Sequence, residues 1–169
     1  QGLGYKCLYT EQGIQHAARI QRFTQDAKNM TGQLLMGNMQ EMKLCLGLNG
    51  AVMDHSFEKL GHLVEKSFTE WTWGFLSSYG MRLADDIPDF EFFRTGDELL
   101  MQRFLRAGYR NKALKRLNEC RLFLRVLYVS EVLTGCGSKL DNEAVRGTHR
   151  LERNKYKWPN QQRPVAEAW

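Results

Sequence analysis

The chain has 169 residues, 43% of them hydrophobic and 25% charged, with a formal net charge of +5. That length and balance suit one globular domain with a real core and exclude low-complexity and collagen-like chains. No apolar run reaches the roughly 18 residues of a membrane span, so no membrane partner is expected.

Residues 1–9 are Gly-rich, carry Tyr5 and Tyr9, and read as irregular. From Thr10 to about Asp26, Ile14, Ala17, Ala18 and Ile20 recur at helical spacing. Thr31 is a candidate cap for a second helix, in which Leu35, Met39, Met42 and Leu46 share one face. Its stop is expected near Asn49-Gly50, since Gly accepts the left-handed conformation that ends helices. Between Asp54 and Tyr79 two apolar stripes follow, Phe57/Leu60/Leu63/Val64 and Phe68/Trp71/Phe75/Leu76. Ser67 with Glu70 has the capping-box form, which splits the region near Lys66, and Gly80 is a natural stop. The second stripe is read as core.

Thr95-Gly96-Asp97-Glu98 is a second capping-box pattern, opening a helix that Gly108 ends. Asn111 then caps the best-patterned segment, KALKRLNECRLFLRVLYV, and a short helix restarts at Ser130 and ends at Thr134-Gly135. Beyond Gly137 the periodicity fades. The expected fold class is therefore all-α. A single-domain bundle of six or seven helices would span residues 1–137, with a weakly ordered basic Trp/Pro-containing tail over 138–169.

Cys7, Cys45, Cys120 and Cys136 form no C-x-x-C pair and have mostly apolar neighbours. They read as buried free thiols in a reducing compartment, which makes the location intracellular, cytoplasmic or nuclear. No metal and no cofactor are assigned. The first residue, Gln1, is read as the start of a piece of something longer.

The segment MRLADDIPDFEFF raises the question of catalysis, because Ala-Asp-Asp after an apolar approach is how many polymerases present metal-binding carboxylates. Such a site needs Asp85 and Asp86 on a hairpin between buried strands, with a third carboxylate alongside. Ile87-Pro88 follows at once, and proline cannot donate to a sheet ladder. Asp85, Asp86, Asp89 and Glu91 therefore read as a solvated acidic loop. No G-x-S-x-G, H-E-x-x-H or P-loop is present. His55 and His62, seven apart, are taken as a surface pair on one helix face. No catalytic residue is assigned.

Charge is graded along the chain. Residues 41–98 carry five basic and eleven acidic side chains, and residues 99–169 carry fifteen and six. A basic end of this kind suits a polyanion. Its densest part is RFLRAGYRNKALKRLNECRLFLRVLY, residues 103–128. At about 100° per residue, Lys112, Lys115, Arg116 and Glu119 project to one side, and Leu117, Cys120, Leu124 and Leu127 to the other. Asn118, Arg121 and Arg125 form a flanking stripe. Two readings stand for Arg121 and Arg125: pairing with Asp85, Asp86 or Asp97, or reaching a groove to bind phosphates. Arg103, Arg106, Lys112, Lys115, Arg116, Arg121 and Arg125 are the candidate nucleic-acid-binding residues, with Tyr109, Tyr128 and Trp158 as candidate stacking groups.

Three segments, CLYTEQGIQHAARIQRF, FRTGDELLMQRFLRAGYRNKALKRLNECRLFL and KWPNQQRPVAEAW, resemble the region that follows the reverse transcriptase domain in retrotransposon-type proteins. The resemblance rests on Leu-Asn-x-Cys-Arg-Leu-(aromatic)-Leu, matched at Leu117 to Leu124. It implies a polymerase domain upstream in the same chain, and for this region a non-catalytic, thumb-like role gripping RNA, DNA or an RNA–DNA hybrid. The parent would then be an RNA-directed DNA polymerase. The alternative is a helical interaction or scaffold domain with no nucleic-acid role. It would use the Met36/Met39/Met42 face and the 68–76 aromatic stripe, with Trp71 and Trp73 partly exposed.

Overall fold

The computed structural model describes residues 7–26, 28–83, 85 and 87–146. Among them the chain is all-α, with seven α-helices and only two isolated β-bridges, Leu99 with Tyr128 and Leu133 with Leu140. No helix among the described residues is long and apolar enough to cross a membrane. By its internal contacts the chain divides into two compact units. Among the described residues, the first comprises 7–44 together with Asn49–Asp89, and the second comprises Cys45–Leu48 together with 90–146.

In the first unit, α1 (Leu8–Thr24) packs on α4 (Phe68–Ser78). Gly13 permits the approach: a Cβ there would lie 2.2 Å from two carbons of the Phe75 ring. Trp71 and Phe75 stack at 5.8 Å, and Tyr9 meets both edge-on. α4 begins as expected, with Ser67 Oγ accepting from the Glu70 amide at 3.0 Å. It ends at Gly80, whose φ of +64° no β-carbon opposes.

α2 (Met30–Leu46) starts differently, because Asn29 rather than Thr31 supplies the cap, its Oδ1 accepting from the Thr31 amide at 2.9 Å. Between α2 and α4 there is no long helix. The 3-10 turn Val52–Asp54, the four-residue α3 (Phe57–Leu60) and the 3-10 turn Gly61–Leu63 fill the space. His55 and His62 consequently lie on separate short elements. The Trp73 indole is buried and donates to the His55 carbonyl at 3.1 Å.

The second unit holds α5 (Leu100–Arg106), α6 (Asn111–Leu124) and α7 (Asn142–Arg146). Its core includes Leu99, Met101, Leu114, Leu117, Cys120 and Leu124. The expected box at Thr95–Glu98 does not cap α5, whose first residue follows an uncapped Leu99. Asp97 instead accepts from the Ser130 hydroxyl at 2.5 Å and the Ser130 amide at 3.1 Å. The tail boundary expected after Gly137 falls inside a hydrogen-bonded loop. Thr134 donates to the Lys139 carbonyl and Asp141 to that of Val132. The rest of the predicted tail, with Trp158, Trp169 and most of its basic residues, lies outside the described residues.

Two further expectations change. Cys7 and Cys136 are exposed, whereas Cys120 is buried and Cys45 half-buried. Met39 and Met42 are core residues of α2, and Trp73 is fully buried, so they offer no groove.

Candidate functional site

The acidic loop is exposed at Asp89 and Glu91, as expected, and is also tied down by hydrogen bonds of Asp85 and Asp89. Asp85 accepts from the Val52 amide at 3.0 Å and the Ile87 amide at 3.2 Å. Lys43, whose side chain is 2% exposed, donates to the Ile87 carbonyl at 3.1 Å and to Asp89 at 2.8 Å. Asp89 also accepts from the Gly50 amide at 2.7 Å. The Lys43 and Gly50 bonds hold the Asp89 carboxyl below the usual carboxylate range. Asp86 lies outside the described residues. Among the described residues no three of His, Cys, Asp and Glu converge as metal ligands.

The candidate basic residues lie in the second unit, and two capping motifs place them. At the end of α5, Tyr109 N–H donates to the Phe104 carbonyl and Gly108 N–H to that of Leu105, with Gly108 at φ +88°. This is the Schellman pattern, and its usual apolar contact is made by Tyr109 against Phe104, ring centroids 6.4 Å apart and nearly perpendicular. At the end of α6 the same pattern recurs: Val126 N–H donates to the Arg121 carbonyl and Arg125 N–H to that of Leu122. Here Arg125, not glycine, takes the left-handed position, at φ +57°. The helix therefore stops at Leu124, and Leu127 leaves the face predicted for it.

Within α6 the expected sides hold. Lys112, Lys115, Arg116 and Glu119 are exposed; Leu117, Cys120 and Leu124 are buried. Among the described residues, Lys112, Lys115 and Arg116 have no ion-pair partner within 4.0 Å. Arg103 and Arg106 are also exposed, but both bond Glu98, at 3.2 and 2.6 Å. Arg110, which sequence reasoning passed over, is exposed and donates through one guanidinium nitrogen to the carbonyls of Leu105 and Tyr109. Arg125 is exposed at the helix end.

Arg121 is buried and reaches no exposed groove. It is 2% exposed, and its donors go to neutral oxygens: Nε to Asn118 Oδ1 at 2.9 Å, Nη2 to the Cys45 carbonyl at 2.9 Å, and Nη1 to the Val126 carbonyl at 3.5 Å. Asn118 Nδ2 donates to the same Cys45 carbonyl at 2.9 Å. Burial drags the guanidinium down to about 10. Packing against Gly47 completes the arrangement, since a Cβ at Gly47 would lie 2.9 Å from Arg121 Cζ. The Leu117–Leu124 motif is thus a core motif, with Asn118 and Arg121 as its polar centre. Tyr128 is likewise internal: its hydroxyl donates to the Glu91 carbonyl at 2.5 Å. No protein-family model, curated protein or solved structure matches the chain.

Proposed function

We propose that the α5–α6 surface binds the phosphate backbone of a nucleic acid without strong sequence preference, and that this region has no catalytic role of its own. The observation that carries the reading is the exposed face of Lys112, Lys115 and Arg116, which has no ion-pair partner among the described residues. Each cation that neutralises a phosphate releases counterions, which makes such a face a source of affinity. Arg103, Arg106, Arg110 and Arg125 extend it, while Arg121 supports it from inside. The exposed face of α6 holds cations and one carboxylate, which favours phosphate contact over base-edge recognition.

The resemblance at Leu117–Leu124 supports the same reading and adds an upstream RNA-directed DNA polymerase domain. RNA, DNA or their hybrid is then the ligand, and an intracellular compartment is the setting. The test is fluorescence anisotropy with labelled oligonucleotides across a salt series, comparing the chain with Lys112→Ala/Lys115→Ala/Arg116→Ala. The substitution should weaken binding to all sequences alike and flatten the log–log salt slope by about one unit per lost contact. An unchanged slope in the folded variant refutes the proposal.

A second reading, a protein-interaction domain, draws on a different surface from the one the sequence suggested. Met30, Leu34 and Leu44 of α2 are 76%, 70% and 52% exposed. A Leu34→Glu change that dissolves a self-associated species in light scattering would favour it.

A further inference from the structure

Tyr109 is an exposed aromatic side chain at the turn between α5 and α6, and its position is set by the backbone. It is the residue after the left-handed Gly108, and the amide bond to Phe104 fixes its main chain. Phe104, largely buried, meets its ring at 86°, so the ring is braced without being covered by a parallel partner. Tyr109 remains 43% exposed. On either side in sequence stand Arg106, Arg110 and Lys112, all exposed. Arg110 is held toward this turn by its bonds to the Leu105 and Tyr109 carbonyls at 3.1 and 2.7 Å. A rigid, half-open aromatic ring among cations differs from a face that only neutralises charge. A tyrosine ring offers a base a stacking surface, and the cations hold the phosphates on either side of that base. A duplex keeps its base faces inside its own stack, whereas a single strand can present one.

Resting on the proposed phosphate-binding role, we infer that the ligand of this surface is a single-stranded nucleic acid and that Tyr109 is the platform on which one of its bases stacks. The stacking chemistry is common to RNA and DNA, because both carry the same base faces. The 2′-hydroxyl distinguishes the two and is not addressed by the ring.

The test uses the full chain with labelled strands of about 20 nucleotides, longer than a typical single-strand site of ~4–16 nucleotides. The probes are single-stranded RNA, single-stranded DNA, a blunt DNA duplex, and a DNA strand with abasic sites that keeps every phosphate. Tyr109→Ala and Tyr109→Phe run beside the unaltered chain, with circular dichroism on each. Single strands should bind better than duplex. Tyr109→Ala should lose roughly tenfold on both single strands and little on the duplex, while Tyr109→Phe keeps most of the affinity. The unaltered chain should bind the abasic strand about as weakly as Tyr109→Ala binds the intact one. That arm leaves the protein untouched, so a folding defect cannot imitate it. Salt-steep binding that ignores both Tyr109→Ala and the abasic sites, or that prefers the duplex, overturns the single-strand inference and leaves the phosphate-binding role standing. Absence of salt-dependent binding to every probe removes that role and the inference with it.

Discussion

Arg121 separates structural cations from ligand-binding ones, and its replacement by methionine and by lysine gives opposite signatures under the two roles. Burial has lowered its pKa from 12.5 to about 10. Holding the charged form inside therefore costs about 3 kcal/mol at neutral pH, at 1.36 kcal/mol per unit. Against this stand two well-formed bonds from the guanidinium, to Cys45 and Asn118, each worth roughly 1.5–3 kcal/mol. Arg121→Met removes the charge penalty together with the bonds. The Cys45 carbonyl keeps its bond from Asn118, whereas Asn118 Oδ1 loses the donor that Arg121 Nε supplies. The expected net loss is about 1–3 kcal/mol. Arg121→Lys keeps a buried charge but gives up the planar fork that reaches both acceptors, so it should cost more than methionine does. Urea unfolding followed by circular dichroism measures both, and anisotropy measures polyanion binding by the folded fraction. The structural role predicts the stability order Arg, Met, Lys, with binding by the folded proteins little changed. A lysine variant as stable as the parent, beside a folded methionine variant that no longer binds, would refute the reasoning.

Gly13→Ala should lower the thermal midpoint, because a Cβ lying 2.2 Å from the buried Phe75 ring forces α1 off α4; overpacking of ~1–3 kcal/mol outweighs the helix propensity gained, roughly 1 kcal/mol. Asp89→Asn should destabilise the chain at neutral pH, since it takes a carboxylate from buried Lys43. The Asp89 pKa is depressed in the folded state, so its contribution is present above the unfolded value of about 3.9 and fades as pH falls below it. Acid titrations of the two proteins should accordingly converge. Cys136 should alkylate fastest of the four cysteines near neutral pH, because hydrogen bonds from Ser138 and Thr134 bring its thiol down to about 7. Mass spectrometry of iodoacetamide adducts across pH should place the rise there, and a rise centred near pH 9 would contradict it.

What the sequence made legible were features whose cause is local. Ser67 and Glu70 are three apart and cap α4 as their spacing requires. Gly80 and Gly108 stop helices because the left-handed residue is itself a glycine. The faces of α6 follow from helical period alone, so Lys112, Lys115 and Arg116 were readable as exposed. The features that escaped depend on partners distant in the chain. Thr95–Glu98 has the letters of a capping box, but Asp97 is taken by Ser130, 33 residues away. The acidic loop is solvated as read, but its bonds to Lys43 and Val52 were not legible, because those residues lie in earlier segments. α2 ends at Gly47 rather than Gly50, where the close approach of Arg121 and Met101 leaves no room for a β-carbon. The end of α6 carried no glycine signal, because Arg125 occupies that position.

These placements change how the basic charge should be counted. Residues 99–125 contain eight cations and one acid, Glu119, which by sequence alone suggests eight phosphate contacts. Arg121 is spent inside the unit, and Arg103 and Arg106 share the Glu98 carboxylate. Seven exposed cations remain, and that number bounds the salt dependence of this segment. On a single strand the log–log slope should be no steeper than about −5, at roughly −0.7 per phosphate neutralised. Glu98→Gln should then steepen it, because it releases Arg103 and Arg106 for phosphate without adding a positive side chain. A steeper slope in that variant would show that intramolecular pairing, and not cation number, limits the binding surface, whereas an unchanged slope would place the ligand on α6 alone.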